Sequence, residues 1–210
     1  MIVISCRHRD ESFSSSEIEK MARDAFPHRD NASYLDAIAQ RKNESSRADS
    51  FFALCLLSSM CEKIGEDKAS LSLDRDKSGR PYFKSSELDF SVSHSSGTVA
   101  VALSDRSRVG IDLELNCIDT AKAQKLADRY FTAEEAAAVK TGDIGGNSIG
   151  SVKAFRHIWT EKEAYAKMSG IPLADILTKD TPNTVYIHHL DVSGYPVTLC
   201  SSLDDEVRVI

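Results

Sequence analysis

The sequence has no hydrophobic run long enough for a membrane. Its longest unbroken apolar stretch, residues 51–57, has seven residues, against the roughly 20 that a helical span requires. No apolar leader core forms either, because residues 1–4 give way at once to Ser5, Cys6, Arg7, His8, Arg9 and Asp10. Cysteine is scarce and scattered: Cys6, Cys55, Cys61, Cys117 and Cys200 include no C-x-x-C pair. That argues against a disulfide or zinc framework and for small buried side chains in a reducing, cytoplasmic compartment. The glycines follow no Gly-X-Y period, and no heptad or solenoid repeat is visible. Positive charge is short as well: 26 Lys and Arg against 32 Asp and Glu leave a formal charge of −6, which disfavours a nucleic acid partner.

What remains is an ordinary folded composition, 41% hydrophobic and 28% charged over 210 residues, enough for one large domain or two of about 100 residues. The first half reads as a strand over 2–5 and helices over 17–25 and near 34–40. A strong helix over 46–64 follows, stopped by Gly65, and then strands over 71–73, 81–83, 90–93 and 98–104. The second half opens on a strand over 109–116, where Val109, Ile111, Leu113 and Leu115 alternate with Gly110, Asp112, Glu114 and Asn116. Helices over 121–129 and from Thr132 come next, the latter with Glu135 completing a capping box. A glycine-rich flexible loop over 141–150, a long helix over 151–168 and strands over 184–190, 197–201 and 206–210 close the chain. Each half thus offers helices and several strands, with a boundary near 106–108. The expected fold class is α+β, with an N-terminal half 1–107 and a C-terminal half 108–210.

Asp112 and Glu114 leave one strand face in the same direction, about 7 Å apart. They are either a solvated face or a pair that shares a cation. On the long helix Phe155, Trp159, Glu163 and Lys167 form one i, i+4 row, which reads as a core-to-surface gradient ending in a Glu–Lys pair or as a functional face. Three carboxylates and a lysine together suit a hard divalent cation held against a phosphate. The segment Phe90-Ser91-Val92-Ser93-His94-Ser95 ends a strand in hydroxyls and an imidazole that can meet phosphate oxygens, although His94 also fits a core position. Gly79-Arg80-Pro81 projects one cation from a turn. His188 and His189 point to opposite strand faces and cannot chelate one ion together.

These segments, with Val109-Gly-Ile-Asp112-Leu-Glu114 and Trp159-Thr-Glu-Lys162-Glu163-Ala-Tyr-Ala-Lys167, follow in an order that resembles the 4′-phosphopantetheinyl transferases, specifically the longer surfactin-synthetase-activating type. The resemblance covers about 90 residues, from Gly79 to Lys167. It implies a pseudo-dimer of two similar halves, each a small antiparallel sheet with a long helix, with the active site between them in a monomer. It implies transfer of the phosphopantetheine arm of coenzyme A to a serine of an apo acyl or peptidyl carrier protein. Asp112, Glu114 and Glu163 would hold Mg²⁺, with Mn²⁺ a substitute. Lys167 and His94 would contact the pyrophosphate, Ser93 and Arg80 would lie near the nucleotide, and Lys42 and Arg47 would face the 3′-phosphate. Glu163 would be the base. Ser91 stands where the family often has asparagine. Glu135 matches a frequent family glutamate, but its capping role is the preferred reading. The stretch 115–131, with Leu126, Tyr130, Lys122, Lys125 and Arg129, is the expected carrier contact. A metal-dependent nuclease or phosphohydrolase would use the same carboxylates but leaves His94 and Arg80 unexplained. A non-catalytic carrier-binding module would not need the carboxylate–lysine set.

Overall fold

The computed structural model describes residues 1–210. Its first half holds β1 (Ile2–His8), α1 (Ser15–Ala25), α2 (Ala32–Ala39), α3 (Glu44–Lys63), β2 (Leu73–Arg75), β3 (Pro81–Phe83), β4 (Asp89–Ser95) and β5 (Thr98–Ser104). The second holds β6 (Val109–Asp112), α4 (Thr120–Tyr130), α5 (Ala133–Thr141), β7 (Asp143–Ile144), β8 (Asn147–Ser148), α6 (Ser151–Ser169), α7 (Leu173–Ile176), β9 (Tyr186–Val192), β10 (Tyr195–Ser201) and β11 (Val207–Val209). The architecture is mixed α+β. No helix is long and apolar enough to cross a membrane.

Helix starts are fixed by side-chain oxygens that accept otherwise orphaned backbone N–H groups. Ser14 with Glu17, and Thr132 with Glu135, form reciprocal capping boxes, and Asn43 accepts from Ser46 N–H at 2.8 Å at the head of α3. The long helix α6 ends at Gly170, whose φ of +75° makes a left-handed cap that a side chain would strain.

A four-stranded sheet runs in the order β11-β1-β5-β4, and a three-stranded one in the order β6-β10-β9. The apolar run of β5 is buried along its whole length, as a central strand requires. One face of this sheet packs Phe90, Val99 and Val101 against Phe51, Leu54 and Leu57 of α3. The other face packs Ile2, Ile4, Ala100 and Ala102 against Val109, Ile111, Val197 and Leu199 of the second sheet. The two sheets therefore share a buried apolar layer.

Four expectations are corrected. The β6 ladder stops at Asp112 rather than continuing to 116, because the register places Pro196, which has no N–H to donate, opposite the next position that faces β10. The loop 141–150 folds back on itself as the β7–β8 hairpin. The strand expected over 206–210 leaves the second half and pairs in parallel with β1, Ile2 opposite Val207. Among the cysteines Cys6, Cys61 and Cys200 are buried and Cys55 is half-buried, but Cys117 is exposed.

Candidate active site

The site is organised by a side-chain ladder between two strands that belong to different sheets. Alternate residues of β4 accept alternate N–H groups of β6 and its extension: Val109 donates to Asp89 Oδ2 at 2.7 Å, Ile111 to Ser91 Oγ at 3.0 Å, Leu113 to Ser93 Oγ at 3.3 Å and Leu115 to Ser95 Oγ at 3.0 Å. The serine hydroxyls then donate onward to the carboxylates. Ser93 bonds to Asp112 Oδ1 at 2.7 Å and Ser95 to Glu114 Oε1 at 2.9 Å. The period of two that aims Asp112 and Glu114 the same way also aims Ser93 and Ser95 at them. Ser93, expected near a nucleotide, is thus engaged by the second half, and Ser91 fills the same kind of position.

Arg80 joins this seam. Its guanidinium makes a two-point pair with Asp89 at 2.8 and 2.7 Å and donates to the carbonyls of Phe90 at 3.0 Å and Val109 at 2.8 Å. The turn at Gly79 projects the cation inward, so Arg80 ties β4 to β6 while lining the rim of a cavity.

Asp112 is 2% exposed, which rules out a solvated strand face. Lys167 Nζ donates to it at 2.6 Å and also to Ser93 Oγ at 3.0 Å and Ile111 O at 3.1 Å. The lysine's partner is therefore Asp112 rather than Glu163. Burial and the facing Asp112 carboxylate push the Glu163 carboxyl up to about 7, against the opposing pull of Lys167 and the Trp159 indole. Two carboxyls turned toward each other in a half-buried seam call for a proton or a cation between them. Their all-oxygen donor set fits a hard divalent ion. Glu114 can join once it turns from Ser95 Oγ and the Asn116 N–H, which now hold its Oε1 at 2.9 and 2.7 Å.

Two cavities flank the seam. One, of about 440 Å³, is lined by Ser78 to Pro81, Lys167 and Gly170 to Leu173. It borders at Pro81 and Val92 on a smaller one, of about 150 Å³, that brings together His94, Arg41, Arg75 and Tyr34. His94 is not a core histidine: its side chain is 36% exposed, with Nδ1 3.9 Å from Asp49. Partial burial, helped by Lys167 and Arg41 and opposed by Asp49, holds its imidazole below the usual value. Burial and the neighbouring Arg75 also lower Arg41, the mark of two guanidiniums crowded together. Lys42 is exposed, and Arg47 donates to Arg41 O at 3.1 Å; neither lines this cavity. Sequence reasoning passed over Arg41, Arg75 and Asp49, and only the Arg41-Lys42 doublet hinted at the first.

The motif's other lysine has a structural role. Lys162 is fully buried, its ammonium 2.7 Å from Glu135 Oε1 and 2.7 Å from Lys179 O, and 5.7 Å from the centre of the Phe131 ring. Glu135 meanwhile accepts the Thr132 N–H at 3.0 Å, so the capping reading holds and gains an ion pair. Removing one partner of a buried pair strands the other charge. Lys162→Ala is expected to cost about 3–5 kcal/mol, read by urea unfolding, and Lys162→Met with Glu135→Gln is expected to recover part of it. Additive losses would show that the two charges do not depend on each other.

Residues 108–205 match the profile of the 4′-phosphopantetheinyl transferase superfamily. A Haemophilus influenzae protein whose name assigns it provisionally as a 4′-phosphopantetheinyl transferase is 34% identical over 128 residues, 58% of this chain and 50% of that protein. The 4′-phosphopantetheinyl transferase AcpT of Salmonella typhi is 29% identical over 126 residues, 59% of this chain and 63% of that protein. HetI of Nostoc, also named as a 4′-phosphopantetheinyl transferase, is 29% identical over 117 residues, 54% of this chain and 47% of that protein. The chain thus matches about half to two thirds of the length of these relatives. The matched segment, 108–205, is the one that carries the buried Asp112 and the half-buried Glu163 and Lys167.

Proposed function

We propose that the protein is a 4′-phosphopantetheinyl transferase of the longer, surfactin-synthetase-activating type, built as a pseudo-dimer of halves 1–107 and 108–210. It would move the phosphopantetheine arm of coenzyme A onto a serine of an apo acyl or peptidyl carrier protein and release adenosine 3′,5′-bisphosphate. The observation that carries this reading is the meeting of Asp112, Glu163 and Lys167 where β4, β6 and α6 converge beside the two cavities.

Asp112, Glu114 and Glu163 would hold Mg²⁺, or Mn²⁺ in its place, which when bound supplies charge neutralisation at the pyrophosphate. The chain's own groups do the rest. Lys167, held by Asp112 and Ser93, presents a fixed positive charge toward a phosphate oxygen. His94 offers a second donor from the neighbouring cavity. The crowded Arg41 and Arg75 are relieved by an anion between them, which suits the nucleotide's remaining phosphate, with Lys42 and Arg47 farther out. Glu163, whose ionised form a bound cation would favour, takes the proton from the carrier serine as its oxygen bonds to the β-phosphorus. The bond from that phosphorus to the bridging oxygen breaks, and the electron pair leaves with adenosine 3′,5′-bisphosphate. Lys122 of α4 lines a cavity of about 240 Å³ together with Glu114, Leu126, Trp159 and Glu163, and with the exposed Lys125 and Arg129 of the same helix it would receive the carrier.

The test is the intact mass of an apo carrier protein after incubation with the enzyme, coenzyme A and Mg²⁺. The expected result is a gain of one phosphopantetheine, abolished by EDTA. Carrier binding without a mass change, or cleavage of nucleic acid in its place, overturns the reading.

A further inference from the structure

On the flank of α6 turned away from Lys162, His157 and Glu161 stand four residues apart, so both side chains leave the helix on one face. His189 of β9 comes over the top of them. One ligating atom from each residue lies within 4.8 Å of the other two. The two imidazoles are stacked with centroids 3.4 Å apart, and His189 Nε2 is 3.7 Å from Glu161 Oε2.

The hydrogen bonds around His189 decide which of its nitrogens is free. Thr160 Oγ1 lies 2.9 Å from Arg156 O and 3.1 Å from His157 O, carbonyls that can only accept, so its single proton is spent there. Thr198 Oγ1, 2.7 Å away, must then donate to Thr160 and is left to accept from His189 Nδ1 at 3.1 Å. This relay puts a proton on His189 Nδ1 and turns Nε2 toward the Glu161 carboxylate. Nε2 facing a carboxylate calls for a proton or a metal cation between them. The threonine relay is also the kind of outer support that fixes a metal-bound imidazole. Burial and the adjacent His189 lower His157 from the usual histidine value.

We propose that His157, Glu161 and His189 form a metal site for a zinc-class divalent cation, separate from the carboxylate site of Asp112 and Glu163 and not dependent on the transferase reading. Two imidazoles and one carboxylate are a borderline-soft donor set, which favours zinc and its neighbours over magnesium. Tetrahedral zinc has bonds of about 2.0–2.1 Å, which sets its ligands about 3.3 Å apart. Small shifts of the His157 and Glu161 side chains, with His189 held by Thr198, supply that closure. The fourth position opens into a cavity of about 350 Å³ lined by His157, His189, Lys153, Arg156, Pro196 and Thr198. Its cationic rim suits a water or a small anion there. The bound ion would tie β9 to the helix that carries Glu163 and Lys167.

The experiment titrates Co²⁺ into the whole metal-stripped protein in excess Mg²⁺, then displaces it with Zn²⁺. One equivalent of cobalt is expected to give the visible absorption of a four-coordinate ion without a sulfur charge-transfer band. His157→Ala and His189→Gln are each expected to weaken binding at least tenfold. As a readout independent of substitution, the unmodified protein is also carbethoxylated with diethyl pyrocarbonate and mapped by mass spectrometry. Zn²⁺ is expected to slow modification of His157 and His189 at least tenfold and to leave His28 unchanged. No cobalt spectrum, a thiolate band, undiminished binding in folded variants, or equal labelling with and without Zn²⁺ overturns the proposal.

Discussion

Glu163→Gln is expected to lower kcat/KM for carrier modification by about 10²–10⁴-fold, while making the metal-free protein more stable above neutral pH. Both effects come from one carboxyl. Burial and Asp112 raise it from 4.5 to about 7, so the folded protein keeps this proton where the unfolded chain has already lost it. The stability tied to that proton is fully present below the unfolded value of 4.5 and is lost as pH rises through about 7. Glutamine cannot ionise and escapes the loss. In EDTA the variant should therefore exceed the parent by on the order of 2 kcal/mol at pH 8.5, and match it near pH 4.5. Added Mg²⁺ should restore the parent above pH 7 and do little for the variant, since a cation rewards only the ionised carboxylate. Thermal melts across pH 4.5–8.5, with EDTA and with Mg²⁺, read all of this. A parent whose melting temperature does not depend on pH through neutrality would remove Glu163 as the strained carboxyl, whatever the variant's activity.

Part of this site is legible from residue order because it rests on local periodicities. A strand period of two aims Asp112 and Glu114 together, and a helix period near 3.6 aligns Trp159, Glu163 and Lys167. The glycines that stop α3 and α6 mark those boundaries as directly. What stays hidden depends on pairings between distant segments. That Ser91, Ser93 and Ser95 spend their oxygens on β6, about 20 residues onward, cannot be read from their own neighbourhood, where they look like free donors for a ligand. Arg41 and Arg75 meet only because α2, β2 and β4 wall one cavity. Lys162 looks like a surface charge until Glu135 and the Lys179 carbonyl are found around it. The same holds for β11, whose sequence reads as a strand but cannot say that its partner is β1. His189, set aside because its neighbour points away, finds its companions on α6 instead.

Gly110→Ala is expected to be the most damaging single methyl in the protein. The φ at this position is not in the left-handed region, so the demand for glycine is one of space alone. A Cβ here would lie 1.9 Å from Ala164 O and 2.6 Å from Met168 N, both backbone atoms of α6 that no rotamer can move aside. The helix must lift from β6, opening the layer where Ala164, Met168 and Cys200 pack. The loss should exceed about 4 kcal/mol, seen as a large drop in the urea midpoint or as insoluble protein. Activity should fall further than the folded fraction does. Asp112 stands two residues from Gly110, while Glu163 and Lys167 adjoin Ala164 and Met168, so the same displacement separates the acidic pair and breaks the 2.6 Å bond from Lys167 to Asp112. A misplacement of about 1 Å at a reacting centre can cost a hundredfold in rate. Ala164→Gly is not expected to rescue the variant, because the atom met is a carbonyl oxygen rather than the Ala164 methyl. A Gly110→Ala protein that keeps its urea midpoint would mean that α6 slides freely over β6. The site could then not rely on that contact to hold Glu163 against Asp112.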